Sequence, residues 1–220
     1  MSREYNFKKE KKAFMPSNTF TEVITLIVAY LLGSIPWGLL VSWLFKLPDP
    51  RTVGSHSIGT TNILRSGNKK AAILTLILDG LKGSFAVIFA LIFAPSLLQI
   101  SCIFAVIGHI WPVWLGFRGG KGIATAFGAI LILSWPLALI CLVSWIAIAA
   151  TTRYSSLASL ITILLCPLYA AFLSREDLII TCLMLVLILV WSHRNNIIRL
   201  VTGRESKIGE RSPSPPPEVG

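Results

Sequence analysis

Six long apolar runs constrain this sequence more than any other feature. They cover roughly residues 21–45, 71–94, 97–115, 123–150, 156–173 and 178–191. A bilayer with a hydrocarbon core of ~30 Å needs about 20 mainly apolar residues per helix. Charged residues make up 14% of the chain, against roughly 25% in soluble globular proteins. The sequence therefore predicts an all-α, polytopic integral membrane helical bundle.

The fourth run decides the number of helices, because Ser134-Trp135-Pro136 interrupts it. Proline removes a backbone donor and restricts the residue before it. Two helices in this run give seven transmembrane helices, and a single helix kinked at Pro136 gives six. The chain divides into a polar, basic N-terminal tail (1–20), a membrane-embedded domain (21–203) and a proline-rich C-terminal tail (204–220) that is expected to be disordered.

The charge balance points to the membrane and to anionic ligands. The chain has 20 Lys and Arg against 10 Asp and Glu, which in a soluble protein would first suggest nucleic acid; the apolar runs redirect that reading, and no nucleic-acid partner is expected. With seven helices, four polar segments fall on one face: residues 46–70, 116–122, 151–155 and 193 onward. They hold 13 of the 20 basic residues, so the positive-inside rule places them in the cytoplasm and the N-terminus outside. The basic N-terminal tail argues against this orientation.

The four polar segments are rich in groups that bind phosphate. Residues 49–65 combine glycines, hydroxyls, an asparagine and Arg65, and residues 117–122 place a Gly-Gly-Lys-Gly turn before an apolar helix. Taken singly, each has a plainer explanation: helix caps, a surface glycine turn, small residues for helix packing at 153–159, or an interfacial anchor at 193–199. The glycine turn is not a Walker A loop, because Gly122 follows Lys121. Together on one face, the segments predict a site for a multiply charged anion.

Other candidate features are expected to be structural. No spacing typical of a metal site or a Ser-His-acid triad is found, so no metal or cofactor is expected. The four cysteines lie in apolar stretches without a CxxC pair and are interpreted as buried small hydrophobes. Asp79 and Lys82 are one turn apart and predict an intramembrane ion pair. His109 is expected to support the site rather than to react.

At these segments the sequence resembles the bacterial acyl-phosphate:glycerol-3-phosphate acyltransferases of the PlsY type. The family pattern GSGNIGATN followed by Arg corresponds to residues 54–62 and Arg65, with His56-Ser57 where the family usually has Gly-Asn. The patterns GHxxPVxxxFxGGKGxAT, RYxSLAS and HRxNIxRLxxGxE correspond to residues 108–125, 153–159 and 193–205. The resemblance extends from about Tyr30 to Glu205.

The resemblance implies a multi-pass enzyme of the bacterial inner membrane, with seven helices and an active site facing the cytoplasm. It would transfer a fatty acyl group from acyl phosphate to the 1-hydroxyl of glycerol 3-phosphate, in functional connection with an enzyme that forms acyl phosphate. Residues expected to act in catalysis are Ser55, Arg65, Lys121, His193 and Asn196. Residues expected to bind substrate are Gly54, Gly59, Thr61, Asn62, Gly119, Gly120, Gly122 and Ser156. Either His193 or a substrate phosphate could act as the base.

Two other classes of function use similar residues. A small-anion carrier could have the same glycine-rich and basic loops, but carriers often contain internal repeats with broken helices at matching positions, and none is evident here. A non-catalytic membrane scaffold would not explain four clusters of hydrogen-bond donors. The enzyme is therefore the favoured hypothesis.

Overall fold

The computed structural model describes residues 18–210, and the regular secondary structure in this part of the chain is all helical, without strands. Its ten α-helices are joined by loops, among them the long loop 45–59, and by three 3-10 turns, at Pro95–Leu97, Val113–Leu115 and Glu176–Leu178. The helices are α1 Thr19–Ser34, α2 Trp37–Leu44, α3 Thr60–Arg65, α4 Lys69–Phe93, α5 Leu98–Ile110, α6 Ile123–Leu133, α7 Trp135–Thr152, α8 Ser155–Phe172, α9 Ile179–Ser192 and α10 Arg194–Val201. The predicted all-α membrane bundle is confirmed.

Five segments are long and apolar enough to cross a membrane: Thr19–Leu44, Lys69–Phe93, Pro95–Leu115, Trp135–Thr152 and Ser155–Phe172. A sixth forms if Glu176–Ser192 and Arg194–Val201 count as one span, although these two helices bend by 63°. The apolar helix α6 has 11 residues, and at ~1.5 Å per residue it is about half the length of a bilayer core. The count of seven spans therefore stays a prediction.

The interruption before Pro136 separates two helices and is not a kink. Ser134 adopts an extended conformation (φ −162°, ψ 99°), and its hydroxyl accepts a hydrogen bond from the backbone N–H of Leu137 at 3.5 Å. Pro136 stands in the first turn of α7, where its missing N–H leaves no intrahelical bond unmade. The interpretation of two helices is confirmed.

Small residues bring the helices into close contact. A Cβ atom on Gly33 of α1 would clash with the backbone of Ala105 in α5, and one on Gly128 of α6 would clash with the backbone of Gly80 in α4. Such approaches allow dispersion contacts between helix backbones, which matter in a bilayer because lipid tails are as apolar as the side chains. The four cysteines are buried, free thiols, as predicted.

The intramembrane ion pair is present. Lys82 Nζ lies 2.9 Å from Asp79 Oδ1 and donates to the carbonyl of Ile35 at 2.8 Å. His109 Nδ1 lies 3.5 Å from the same carboxylate oxygen and 3.2 Å from the hydroxyl of Thr125. The pair therefore connects α4 to the break between α1 and α2, and to α5.

Candidate functional site

The polar segments converge on one cavity of about 560 Å³ at one end of the bundle. Nine of the predicted site residues line it, together with the carboxylate of Glu205: Ser55, Gly59, Thr61, Asn62, Arg65, Lys121, Gly122, Ser156 and His193. The cavity continues between α4, α6, α7 and α8 along apolar walls, formed among others by Leu76, Ile77, Phe127, Leu142, Trp145 and Ile163. A polar pocket thus opens directly into an apolar groove.

Asn62 organises the loop before α3. Its side-chain N–H groups donate to the carbonyls of Pro50 (2.6 Å), Ser57 (2.9 Å) and Val53 (3.1 Å), and its oxygen accepts from the backbone N–H of Ser55 (2.8 Å). All of its hydrogen-bonding groups are therefore engaged within the protein. Asn62 lines the cavity, but its amide acts by shaping the loop that presents Ser55.

The departure from the family pattern at His56 falls at a special backbone position. His56 has φ +54°, in the left-handed region that favours glycine. Its Nδ1 lies 2.9 Å from the carbonyl of Arg51, which can only accept, so Nδ1 carries the proton. The loop keeps the turn with a histidine in place of glycine. Gly54, at φ +58°, belongs to the same turn and does not line the cavity.

Helix α3 carries two polar residues to the cavity. The hydroxyls of Thr61 and Ser155 lie 3.2 Å apart, which joins α3 to the start of α8. Arg65 donates weakly to the carbonyl of Ser206 at 3.5 Å, and its Nε is buried without a hydrogen-bond partner within residues 18–210. An unpaired guanidinium N–H beside a cavity is suited to a phosphate oxygen.

The glycine turn is held against the C-terminus of α5. The N–H of Gly119 donates to the carbonyl of Ile110, and the N–H of Gly120 donates to the carbonyl of His109, both at 3.0 Å. A Cβ atom on Gly120 would clash with the His109 ring. These two glycines do not line the cavity, and their N–H groups already have partners. His109, 3% exposed, supports this turn and also lines the cavity.

Lys121 is the residue that the turn presents to the cavity. Its ammonium makes no hydrogen bond or ion pair within the part of the chain that the structure describes. Burial lowers the pKa of Lys121 to about 8; the nearby carboxylate of Glu205 opposes this shift, and the cations Arg199 and Arg65 add to it. A partly desolvated lysine among other cations is suited to a phosphate dianion.

Glu205 is the main element of the site that sequence reasoning missed. Its Oε1 accepts from Ser156 Oγ and Asn196 Nδ2, and its Oε2 accepts from Arg199 Nε, each at 2.7 Å. Burial on its own would raise the pKa of Glu205, but these hydrogen bonds hold it below the usual value. Asn196 therefore contacts Glu205 and does not line the cavity. The resemblance already included Glu205 in its last motif, which was the available signal.

The segment after α10 differs from the predicted disordered tail. The N–H of Ile208 donates to the carbonyl of Arg153 at 2.7 Å, and Ser206 and Ile208 line the cavity. Residues 204–210 therefore fold back across the polar end of the bundle. The rest of the predicted tail, 211–220, and most of the N-terminal tail, 1–17, lie outside the described residues.

His193 lies at the end of α9 and is buried. Its Nδ1 is 2.8 Å from the carbonyl of Leu189, an acceptor, so Nδ1 carries the proton and Nε2 is left with a lone pair. The adjacent Ser192 donates to the carbonyl of Lys121 at 3.0 Å and ties the two segments together. His193 is thus held in the tautomer that could accept a proton.

These features define a class: an integral membrane helical bundle in which a cationic pocket suited to an anionic group adjoins a groove suited to an apolar chain. Comparison with known proteins narrows the class. The sequence profile of the glycerol-3-phosphate acyltransferases matches residues 23–203. The chain therefore belongs to the glycerol-3-phosphate acyltransferase family.

Curated relatives and solved structures agree with that assignment. The glycerol-3-phosphate acyltransferase of Mesorhizobium japonicum is 46% identical over 193 residues, covering 88% of this chain and 99% of the relative. That of Dinoroseobacter shibae is 47% identical over 186 residues, covering 84% and 92%. The crystal structure of the integral membrane glycerol 3-phosphate acyltransferase PlsY (YgiH), in its glycerol 3-phosphate form, superposes with a TM-score of 0.79 at 36% identity, covering 85% of this chain and 95% of that one. Its lysophosphatidic acid form gives 0.78 at 35%.

Proposed function

We propose that this protein transfers a fatty acyl group from acyl phosphate to the 1-hydroxyl of glycerol 3-phosphate, giving lysophosphatidic acid and phosphate. The observation that carries the proposal is the single cavity in which a cationic pocket adjoins an apolar groove. Glycerol 3-phosphate requires a phosphate site, and acyl phosphate requires a phosphate site together with an apolar groove for its fatty acyl chain. The solved structures of PlsY in a glycerol 3-phosphate form and in a lysophosphatidic acid form support a site that accommodates both a phosphate group and an acyl chain.

Glycerol 3-phosphate is held, in this proposal, by residues at the polar end of the cavity. Arg65 and Lys121 neutralise its phosphate, and Ser55 donates a hydrogen bond or orients the hydroxyls. The proton of Ser156 is already donated to Glu205, so the Ser156 oxygen orients a substrate hydroxyl by accepting from it. Asn196 acts through Glu205, to which it donates at 2.7 Å. Positioning and charge neutralisation are sufficient as catalytic devices, because the donor is a mixed anhydride that is already activated.

The reaction needs no protein nucleophile. The 1-hydroxyl oxygen attacks the acyl carbon, the bond between that carbon and the phosphate oxygen breaks, and phosphate leaves. The hydroxyl proton passes to Nε2 of His193 or to a phosphate oxygen of a substrate, and it ends on the released phosphate or in solvent. His193→Gln distinguishes the two: near-complete loss of turnover with an unchanged Michaelis constant supports His193, and retained turnover supports the phosphate.

The acyl phosphate is held by fewer residues than the resemblance implies. We assign Thr61 and Gly122 to its phosphate, since they line the cavity. Gly59 also lines the cavity, and its N–H donates to Ser57 Oγ at a long 3.3 Å, so we assign it to the phosphate only as a weaker donor. Asn62, Gly119 and Gly120 contribute by shaping their loops, because their hydrogen-bonding groups already have partners in the protein. Gly54 serves the same loop as Asn62.

The donor is proposed to be acyl phosphate and not acyl-CoA. Acyltransferases that use soluble donors resemble one another in an H-x4-D pair. Here Thr61, Trp114 and Ile198 stand five residues after the three histidines. The decisive test uses purified protein: phosphate should be released from palmitoyl phosphate only when glycerol 3-phosphate is present, and palmitoyl-CoA should give little product. Equal turnover of palmitoyl-CoA would contradict the proposed donor.

We place the protein in the bacterial inner membrane with the cavity facing the cytoplasm, where an enzyme that forms acyl phosphate would supply the donor. The test is labelling of single cysteines at the exposed positions Ser174 and Ser206. The native thiols are buried and give little background. Labelling of Ser174→Cys from outside and of Ser206→Cys from inside supports the orientation, whereas labelling of both from one side contradicts it.

A further inference from the structure

A second cavity, of about 330 Å³, lies at the far end of the bundle beside the break between α6 and α7. Leu131, Leu133 and Ser134 line it on one side, and Leu173 and Arg175 line it on the other. Leu131 also lines the substrate cavity, and within residues 18–210 it is the one residue shared by both. Leu131 is therefore in contact with both spaces.

The depth of Leu131 in the groove can be compared with the length of an acyl chain. Helix α6 begins with Ile123 at the polar pocket, and at ~1.5 Å per residue Leu131 lies ~12 Å deeper. An extended chain advances ~3.5 Å over three bonds, or ~1.2 Å per bond. A chain whose carbonyl lies at the polar pocket therefore reaches Leu131 after about ten bonds.

Cys141 and Cys166 also line the cavity, and next to them lies a buried cluster that includes Leu137, Ala138 and Cys182. A longer chain that continues along α6 passes Leu131 and enters the second cavity. Leu131 is 42% exposed, so its side chain is not locked by packing and can change rotamer.

We propose that Leu131 determines the length of the acyl chain that the protein accepts, by separating the main groove from a second cavity that receives the end of long chains. This inference rests on the proposed function. Decanoyl chains fit above Leu131, whereas palmitoyl and stearoyl chains extend past it. Each methylene that is kept out of the apolar space lowers the apparent affinity about fourfold. A substitution at residue 131 should therefore change kcat/KM for long chains more than for short ones.

The experiment compares kcat/KM for decanoyl, lauroyl, palmitoyl and stearoyl phosphate in the wild type, Leu131→Phe and Leu131→Ala. Leu131→Phe should lower the ratio of palmitoyl to decanoyl activity by about tenfold or more, and Leu131→Ala should raise the ratio of stearoyl to palmitoyl activity. Leu139→Phe is the matched control: Leu139 is an exposed leucine of α7 (50%) that lines neither cavity.

The outcomes distinguish a failure of the proposed function from a failure of the proposed role of Leu131. Lack of transfer by wild-type protein with every donor would contradict the proposed function itself. Active variants with the chain-length profile of the wild type would overturn the role of Leu131 and indicate that long chains leave the groove sideways into the bilayer. If Leu131→Phe fails to fold, the profile of Leu131→Ala decides.

Discussion

Replacing Glu205 by glutamine should weaken the fold and shift the pH dependence of activity together. The side chain accepts three hydrogen bonds of 2.7 Å, from Ser156, Asn196 and Arg199. A glutamine whose oxygen keeps the first two turns its NH₂ group toward Arg199 Nε, so two donors face each other. A hydrogen bond to a charged group is worth ~1.5–3 kcal/mol. Because Arg199 is 34% exposed, water partly compensates and the lower part of that range applies, about 2 kcal/mol.

This loss is measurable by thermal unfolding in detergent. For a protein of this size, 1 kcal/mol corresponds to ~2–4 °C in Tm, so Glu205→Gln should lower Tm by ~4–8 °C. The carboxylate of Glu205 also raises the pKa of Lys121 against the effect of burial. Without that charge, the alkaline loss of activity should therefore begin at a lower pH than in the wild type.

The matched control is Glu210→Gln. Glu210 is an exposed acid on the same segment and accepts from the N–H of Lys207 at 2.8 Å. Glu210→Gln should change Tm by less than about 2 °C, since exposed substitutions of this kind stay within ~0.5 kcal/mol. If Glu205→Gln and Glu210→Gln unfold at the same temperature and share the wild-type pH profile, the carboxylate does not hold the site together.

Three further predictions concern the glycine turn and the membrane ion pair. Burial lowers the pKa of Lys121 to about 8, so it is charged below that value, and kcat/KM should fall as the pH rises through 8. Lys121→Arg should extend activity to higher pH. Lys121→Ala should lose ~2–4 kcal/mol of transition-state stabilisation below pH 8, and this deficit should shrink at higher pH, where the wild-type lysine is neutral. Asp79→Asn leaves Lys82 buried without its counter-ion and should lower the folded yield, while the protein that folds keeps its Michaelis constants. Gly120→Ala places a Cβ against the His109 ring and should lower Tm; a normal Tm with a raised Michaelis constant would instead assign Gly120 to substrate.

The sequence predicts the fold well where one physical rule decides it. The length of the apolar runs predicts the membrane bundle, and Pro136 predicts where one helix ends and the next begins. The number of complete spans is harder, because α6 is apolar but has 11 residues. Hydropathy measures how apolar a segment is, and it does not show whether neighbouring helices let a short one remain partly inside the bilayer.

Within the site, the sequence predicts residue types better than roles. Glycine, asparagine and arginine next to one another indicate an anion site, and most of the predicted residues do line one cavity. The pattern cannot show that the amide of Asn62 is bonded to three carbonyls, or that the N–H groups of Gly119 and Gly120 face α5. Such partners come from chain segments whose relative position is set only by packing.

Glu205 escaped prediction because a negatively charged residue is not expected in a site for phosphate. The charges explain its presence. Arg65, Lys121 and Arg199 bring three positive charges close together, as their mutual effects on pKa indicate. Repulsion among them would oppose folding before any substrate binds. One carboxylate lowers the sum to two, which equals the charge of a phosphate dianion, and Glu205 meanwhile fixes Ser156 and Asn196 by hydrogen bonds. A carboxylate in this position lets the empty site fold and still leaves the net charge that the substrate requires.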